Sequence, residues 1–524
     1  MAGRLGVAVL CTFSVSSCVC AGSAMKQQNG MVLIPACEAT VGTSGEERAK
    51  LAQRFDCHPT WLNDDLPAQS VRLPAFWLDR FPVTNAQYLA FVKATGHAPP
   101  GWWGKAFPAE SGSHPVVGVS GKDAIAFAQW AGKRLPAAEE WEAAVGAGGR
   151  APFAWGEEWP GPLKLRRVDR PLWELPATRP VGTGECGRSR SGIEDFAGQA
   201  LEWVSRVIPH HGVQFQLMKG ASWFHEDPVS FRTASGWYAH EGWRSAFTGF
   251  RCALDGDKSP QAVATADPAD APSAASILER LAKAVADGPI SLAAAGGASR
   301  GVTLRAPRLG HEAFALSAPE TVVWNGKAAL NWFNQPDMAW TERTPQRAAY
   351  EMRFKEFTLH AEFVARDDCA EQVFTATNLT DGPATFRTSS CFNLQGHPML
   401  YDLEQRRTYA LGADGKFVPM RRLSRGGDCI HWITGPAPSE LGGIPRWALL
   451  AVVARDGQWV VASGRGGQGQ GYAVATNALF TCLHTDSAVD VPPRGTATSR
   501  QRFYFLKGSL DELARRFRAD FGLH

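Results

Sequence analysis

The chain has 524 residues, several times the length of a typical domain, so two or three domains and a large core are expected. Its 44% hydrophobic and 20% charged residues are a globular balance, and 53 glycines with 34 prolines point to a loop-rich architecture. Fifty-four basic against 51 acidic residues leave a formal charge of +3, far short of the basic excess that nucleic-acid binding needs, so nucleic acid is excluded as a partner.

Residues 1–24 read as a signal peptide, with Arg4 as a short positive region, an apolar stretch from Leu5 to Val15 and small residues from Ala21 to Ala24. No later segment reaches roughly 18 uninterrupted apolar residues, so no transmembrane segment is expected beyond the signal and the chain reads as secreted or periplasmic. Val15-Ser16-Ser17-Cys18 has the pattern of a lipoprotein signal, which leaves lipid attachment at Cys18 as the alternative to cleavage near Ala21 or Ala24. Eight cysteines follow the signal: Cys37, Cys57, Cys186 and Cys252, then Cys369, Cys391, Cys429 and Cys482. Even counts in each half permit disulfides in an exported protein, and without any Cys-x-x-Cys a zinc ribbon is not expected.

The first region, 30–255, holds thirteen of the 19 tryptophans and few helices. Thr84-Asn-Ala-Gln87 is a capping box that opens a helix over Ala86–Lys93, which Gly96 stops. Ser120-Gly-Lys-Asp123 opens a second through Ala131, and Pro136 precedes a third around Glu139–Glu142. Residues 256–275 are rich in Asp, Pro, Ala and Ser and read as a flexible linker. The second region, 276–524, starts with a helix over Ser276–Asp287 and turns to strands: alternation in Tyr350–Phe363 and Gln372–Thr377, and a buried run in Trp447–Val453. A β-sandwich with flanking helices is expected, closed by a Ser509/Glu512 capping box and a helix whose Leu510, Leu513, Phe517 and Phe521 pack on the sheet.

Several separated segments of the first region are similar, in order, to the sulfatase-modifying-factor family that contains the formylglycine-generating enzymes. They include Met31-Val-Leu-Ile-Pro-Ala36, Phe76–Tyr88 with its Val83-Thr-Asn85, His114–Ser120, Ala131-Gly-Lys-Arg-Leu-Pro136, Glu140-Trp-Glu142 and Asp195–Trp203. The resemblance implies an α+β fold of the C-type-lectin-like kind. Family members divide among copper oxidases that convert a sulfatase cysteine to formylglycine, iron enzymes of the ergothioneine-synthesis type, and proteins of unknown role. The iron branch carries its histidines in an extra N-terminal helical bundle, and the short stretch before the fold here points away from it. The second region has a weak similarity to β-sandwich tails of uncharacterised secreted bacterial proteins, some of them akin to galactose mutarotases.

Lys219-Gly-Ala-Ser-Trp-Phe-His-Glu-Asp-Pro-Val-Ser-Phe-Arg232 resembles the family's active-site strand, in which two cysteines hold copper; His225 and Ser230 stand in their places. Cu(I) favours soft sulfur ligands, so copper is not expected and formylglycine generation is set aside as the alternative reading. The preferred reading is a protein with a degenerate copper site that binds protein or glycan in the old groove. As an enzyme, it would act through His225, Ser230 and Arg232, with His225 as the ligand of a harder metal or as a general acid–base. Trp223, Trp237, Arg244 and Arg251 are the binding candidates, and Trp102, Trp103 and Trp243 are further aromatics of that kind. The family's calcium-binding element implies a weakened calcium site at Gln199 and Glu202. A third reading places sugar binding in the β-sandwich, where His397, His484 and Asp486 are the polar residues that could converge on a sugar or metal.

Overall fold

The computed structural model describes residues 25–100, 103, 111–146, 151–159, 178–183, 187–210, 213–266, 288–294, 301–309, 313–330, 337–394, 397, 399–424, 432–434, 441–442, 447–466, 470–477, 479 and 481–523. The expected signal at 1–24 and the expected helix at 276–287 lie outside the described residues.

Helices in the first region begin where their caps stand. Thr84 accepts from the Gln87 backbone N–H and the Gln87 side chain returns the bond, opening Asn85–Thr95, which ends on Gly96 in the left-handed region at φ 71°. Ser120 and Asp123 repeat the arrangement for Gly121–Trp130, and Ala138–Gly146 follows Pro136. A further helix, Gly45–Arg54, forms under a Ser44/Glu47 capping box. Its one buried residue is Ala52, so it has no apolar stripe for a sequence pattern to reveal.

These helices pack around two four-stranded sheets. In one, Gln27–Gln28, Met31–Ile34, Phe76–Asp79 and Ala253–Asp255 lie side by side, tying the start of the region to its end. The other runs Gly236–His240, Val213–Lys219, Leu201–His210 and Thr248–Gly249. Trp77, Trp103, Trp141, Trp203, Trp223 and Trp237 are buried, supplying the volume that so little regular structure leaves unfilled.

The second region is two antiparallel sheets, of eight and nine strands, whose facing sides share one apolar cluster. The alternation across residues 350–363 resolves into two strands of a hairpin, Arg347–Arg353 and Phe357–Ala365, with Arg347 opposite Val364. The break falls at Phe354, whose ring stacks on Phe357 at 4.3 Å. Strand Ala448–Val453 is buried nearly throughout. Helix Leu510–Phe521 sets Leu513 and Phe517 against Leu449, Val460 and Tyr504 on the opposite face of the nine-stranded sheet. With its few helices and a multi-sheet C-terminal half the chain is α+β, and none of its described helices is long and apolar enough to cross a membrane.

The described part of the expected linker is not a free tether. Asn29 donates to Pro260 O at 2.8 Å, Trp77 Nε1 to Lys258 O at 3.1 Å and Ala266 N–H to Ala86 O at 3.0 Å. A Pro- and Ala-rich composition forecasts that 256–266 builds no core of its own, yet its backbone carbonyls remain acceptors that a neighbouring surface can use.

Phe517→Ala is expected to lower the unfolding free energy by about 3–5 kcal/mol in urea titration, because the cavity forms in a cluster closed by the sheet on one side.

Candidate functional site

The segment 219–232 is positioned by the end of the central strand Val213–Lys219. Lys219 Nζ is buried against Glu142 Oε1 at 2.6 Å and Ala234 O at 2.8 Å. Gly220 follows at φ 80°, where a Cβ would stand 2.5 Å from Phe196 O, so only glycine lets the chain pass. Ala221–Ser222 pairs in parallel with Ala197–Gln199, and after Trp223 the chain turns. Asp227 then caps the short 3-10 helix Pro228–Phe231 by accepting from the Val229 N–H at 2.9 Å.

His225 and Ser230 are both enclosed, at 0% and 1% exposure. The Ser222 backbone N–H donates to His225 Nδ1 at 3.0 Å, which places the ring proton on Nε2; that nitrogen has no hydrogen-bond partner among the described residues. Trp237 lies 5.7 Å from the imidazole, with Phe231 and Phe247 edge-on. Burial, then the positive charge of Arg455, pushes the imidazole down to about 3, so His225 is neutral at physiological pH.

What encloses the segment is the chain's own second region. Glu404 accepts from the backbone N–H groups of Glu226 at 3.0 Å and Asp227 at 2.9 Å, and from Ser230 Oγ at 2.8 Å. Arg455 reaches Glu226 at 2.7 Å and the Phe224 carbonyl at 3.1 Å while lying over the Phe224 ring at 4.1 Å. Arg421 pairs with Asp227 and donates to Phe55 O at 2.7 Å, and Arg422 pairs with Asp56 at 2.6 Å. Tyr401 packs on Phe224 and Phe247 with ring centres 5.0 and 5.7 Å apart, and Tyr401, Leu403 and Leu479 belong to the apolar cluster of the first region. Between Ser230, Arg232, Trp237, Glu404 and Arg421 a cavity of about 20 Å³ remains. A site of about 10–15 Å³ holds one water, so this space admits a water and no peptide side chain.

Burial, with the negative charge of Asp227, pushes the Glu404 carboxyl up to about 7 against the opposing pull of its N–H and hydroxyl donors. The loop that presents it is held by Asp402, which accepts from Arg407 N–H and Thr408 Oγ1 at 2.8 Å each, and by Gln405, which sits at φ 50°.

The remaining candidates act as braces. Arg232 forks onto Asp65 at 2.8 and 3.0 Å, with both side chains buried. Arg244 forks onto Asp123 at 2.8 and 2.9 Å; although burial opposes it, this bond and the Ser120 cap hold the Asp123 carboxyl down to about 2. Arg251 is fully buried, binding both oxygens of Glu202 at 2.6 and 2.7 Å and the backbone carbonyls of Asp79, Arg80 and Glu194. Trp223 donates to Ala246 O at 3.2 Å inside the core.

Calcium at Gln199 and Glu202 does not fit this geometry. Glu202 already has a cation in Arg251 and a further donor in Trp141 at 2.7 Å, and the Gln199 amide bonds the backbone of Arg179 in both directions. Nor do His397, His484 and Asp486 converge. His397 Nε2 bonds Leu309 O at 2.8 Å, Asp486 pairs with Arg387, and His484 turns to Glu320 and Cys482. Trp102, Cys186 and Cys429 lie outside the described residues, and Cys57, Cys252, Cys369, Cys391 and Cys482 are free thiols.

The sulfatase-modifying factor enzyme 1-like domain matches residues 19–256. A formylglycine-generating enzyme of Thermomonospora curvata is 31% identical over 299 residues, spanning 43% of this chain and 93% of that protein. A hercynine oxygenase of Mycobacterium tuberculosis is 28% identical over 248 residues, 38% of this chain and 56% of that protein, so the similarity extends to the branch that the short N-terminal stretch pointed away from. The inactive Cα-formylglycine-generating enzyme 2 of Mus musculus is 28% identical over 215 residues, 32% of this chain and 69% of that protein. A sheet-rich domain built around the 219–232 segment and this likeness along nearly the whole length of the Thermomonospora protein define the class: the chain belongs to the formylglycine-generating enzyme family.

Residues Tyr401, Glu404, Arg421 and Arg455 carry no local signature of a role at 219–232, because their targets are backbone N–H groups, carboxylates and rings far away in sequence.

The two shifted groups give opposite pH slopes. Glu404 ionises near 7 in the fold against an ordinary 4.5, so its contribution is present below about 4.5 and is lost as pH rises through 7. His225 falls from 6.5 to about 3, so its contribution is present above 6.5 and is lost as pH drops toward 3. Between pH 4.5 and 6.5 the two slopes offset, so the melting temperature of the wild type should fall mainly as pH rises from 6.5 through 7, and Glu404→Gln should remove that fall and uncover a decline as pH drops below 6.5.

Proposed function

We propose that this chain is an exported, non-oxidising member of the family, whose C-type-lectin-like domain uses the old catalytic groove as a socket for its own β-sandwich. The observation that carries the reading is Glu404, which accepts from Glu226, Asp227 and Ser230 across the segment where the family's copper thiolates stand. Copper at this place is not supported by the residues present. Ser230 Oγ is hard and donates to Glu404, and the Nδ1 lone pair of His225 accepts from the Ser222 N–H. A harder metal on Nε2 would require its proton to move, at the cost of the Ser222 bond.

In this reading the groove is filled from within the chain, and Arg232, Arg244 and Arg251 support it by bracing the socket. The mouse relative named as inactive is a precedent for a family member without oxidase activity. The domain's task in this reading is to hold and orient the β-sandwich, and any protein or glycan ligand belongs to surfaces other than the filled groove.

Incubating the full chain with a Cys-x-Pro-x-Arg peptide, copper and oxygen should give no aldehyde product by mass spectrometry. Stoichiometric conversion of the peptide cysteine to formylglycine would overturn the reading.

A further inference from the structure

Cys391, Cys482 and His484 meet on two paired strands of the eight-stranded sheet, Ala384–Asn393 and Cys482–Val491. Cys391 stands opposite His484, and Asn393 opposite Cys482. Side chains alternate along a strand, so Cys482 and His484 share a face with Cys391, while the intervening Phe392 and Leu483 turn into the core between the sheets. One ligand atom from each of the three residues lies within 4.8 Å of the other two. The three are 9%, 2% and 3% exposed, although they point away from the shared core. His484 Nε2 is 3.0 Å from Cys482 Sγ, and its Nδ1 is 2.9 Å from Glu320 Oε2, itself 4% exposed.

We propose that Cys391, Cys482 and His484 form a binding site for one thiophilic d10 cation, Zn2+ or Cu+, with two sulfurs and Nε2 as ligands and Glu320 fixing the ring through Nδ1. Thiolates with an imidazole are the donor set that selects such ions. Zinc–sulfur bonds of about 2.3 Å and zinc–nitrogen bonds of about 2.0 Å set tetrahedral ligand atoms about 3.5–3.8 Å apart. The three atoms lie within 4.8 Å of one another, so shifts of about an ångström, including an opening of the 3.0 Å Nε2–Sγ pair, bring them to that spacing. A carboxylate on the far nitrogen of a ligating histidine is the usual way such a ring is oriented and its basicity raised. Uptake releases protons, because both sulfurs bind as thiolates and Nε2 binds through its lone pair. The site shares no residue with the 219–232 segment or with Glu404 and does not depend on how that groove is read.

The test uses the reduced full chain, freed of metal by chelation and offered Zn2+ or Cu+ in separate arms. Mass-spectrometric metal analysis after gel filtration should find one ion per chain in at least one arm, and which arm does so identifies the ion. Cys482→Ser and His484→Ala should lose it, Cys369→Ser should keep it, and Glu320→Gln should weaken binding about 10–100-fold. Wild-type chain loaded with Co2+ should show a sulfur-to-metal charge-transfer band, a readout that needs no variant to fold. Retention of neither ion, uptake undiminished in Cys482→Ser, or a Co2+ spectrum without the sulfur band would each overturn the proposal.

Discussion

A buried carboxylate that accepts from two backbone N–H groups and a hydroxyl of a distant turn is the contact around which the molecule is arranged. Glu404 accepts from the N–H groups of Glu226 and Asp227, and a turn interior without such an acceptor would leave these donors unsatisfied. The cost of keeping an ion there is visible in its carboxyl, held near 7, and the surrounding cations offset it. Arg421 and Arg406 approach Asp227 while Arg455 takes Glu226, so an acidic turn in one region is met by a basic surface of the other.

That arrangement changes what the 219–232 segment can do. In a groove open to solvent, His225 would be a titrating imidazole within reach of a ligand; here burial makes it neutral and Ser222 fixes its tautomer. Arginines that would otherwise line a peptide-binding surface are each committed to one carboxylate, Arg232 to Asp65, Arg244 to Asp123 and Arg251 to Glu202. The aromatic rings follow the same pattern. Phe224 and Phe247 stack on Tyr401 from the second region, and Trp237 covers the imidazole.

Local chemistry made part of this legible. The Thr84, Ser120 and Ser509 caps announce their helices because a capping box is complete within four residues. The family motifs are equally local, and they located the 219–232 segment and the missing thiols without coordinates. The partners of that segment were not legible, because Glu404 lies 178 residues from Glu226 and binds main-chain donors that every residue type possesses. The calcium expectation meets a related obstacle: Glu202 reads as a ligand until Arg251, 49 residues on, is seen to bind both its oxygens. Cys391, Cys482 and His484 were recognised singly, and only the register of two strands made them a cluster.

In the folded chain the second region closes the 219–232 segment. Hydrogen exchange of the 224–231 amides reads this directly, since the Glu226 and Asp227 N–H groups are bonded only if Glu404 is seated. Protection of these amides comparable to the central strand Val213–Lys219 is expected in the wild type, and fast exchange in Glu404→Ala with that strand still protected. Fast exchange of the 224–231 amides in the wild-type chain would contradict it.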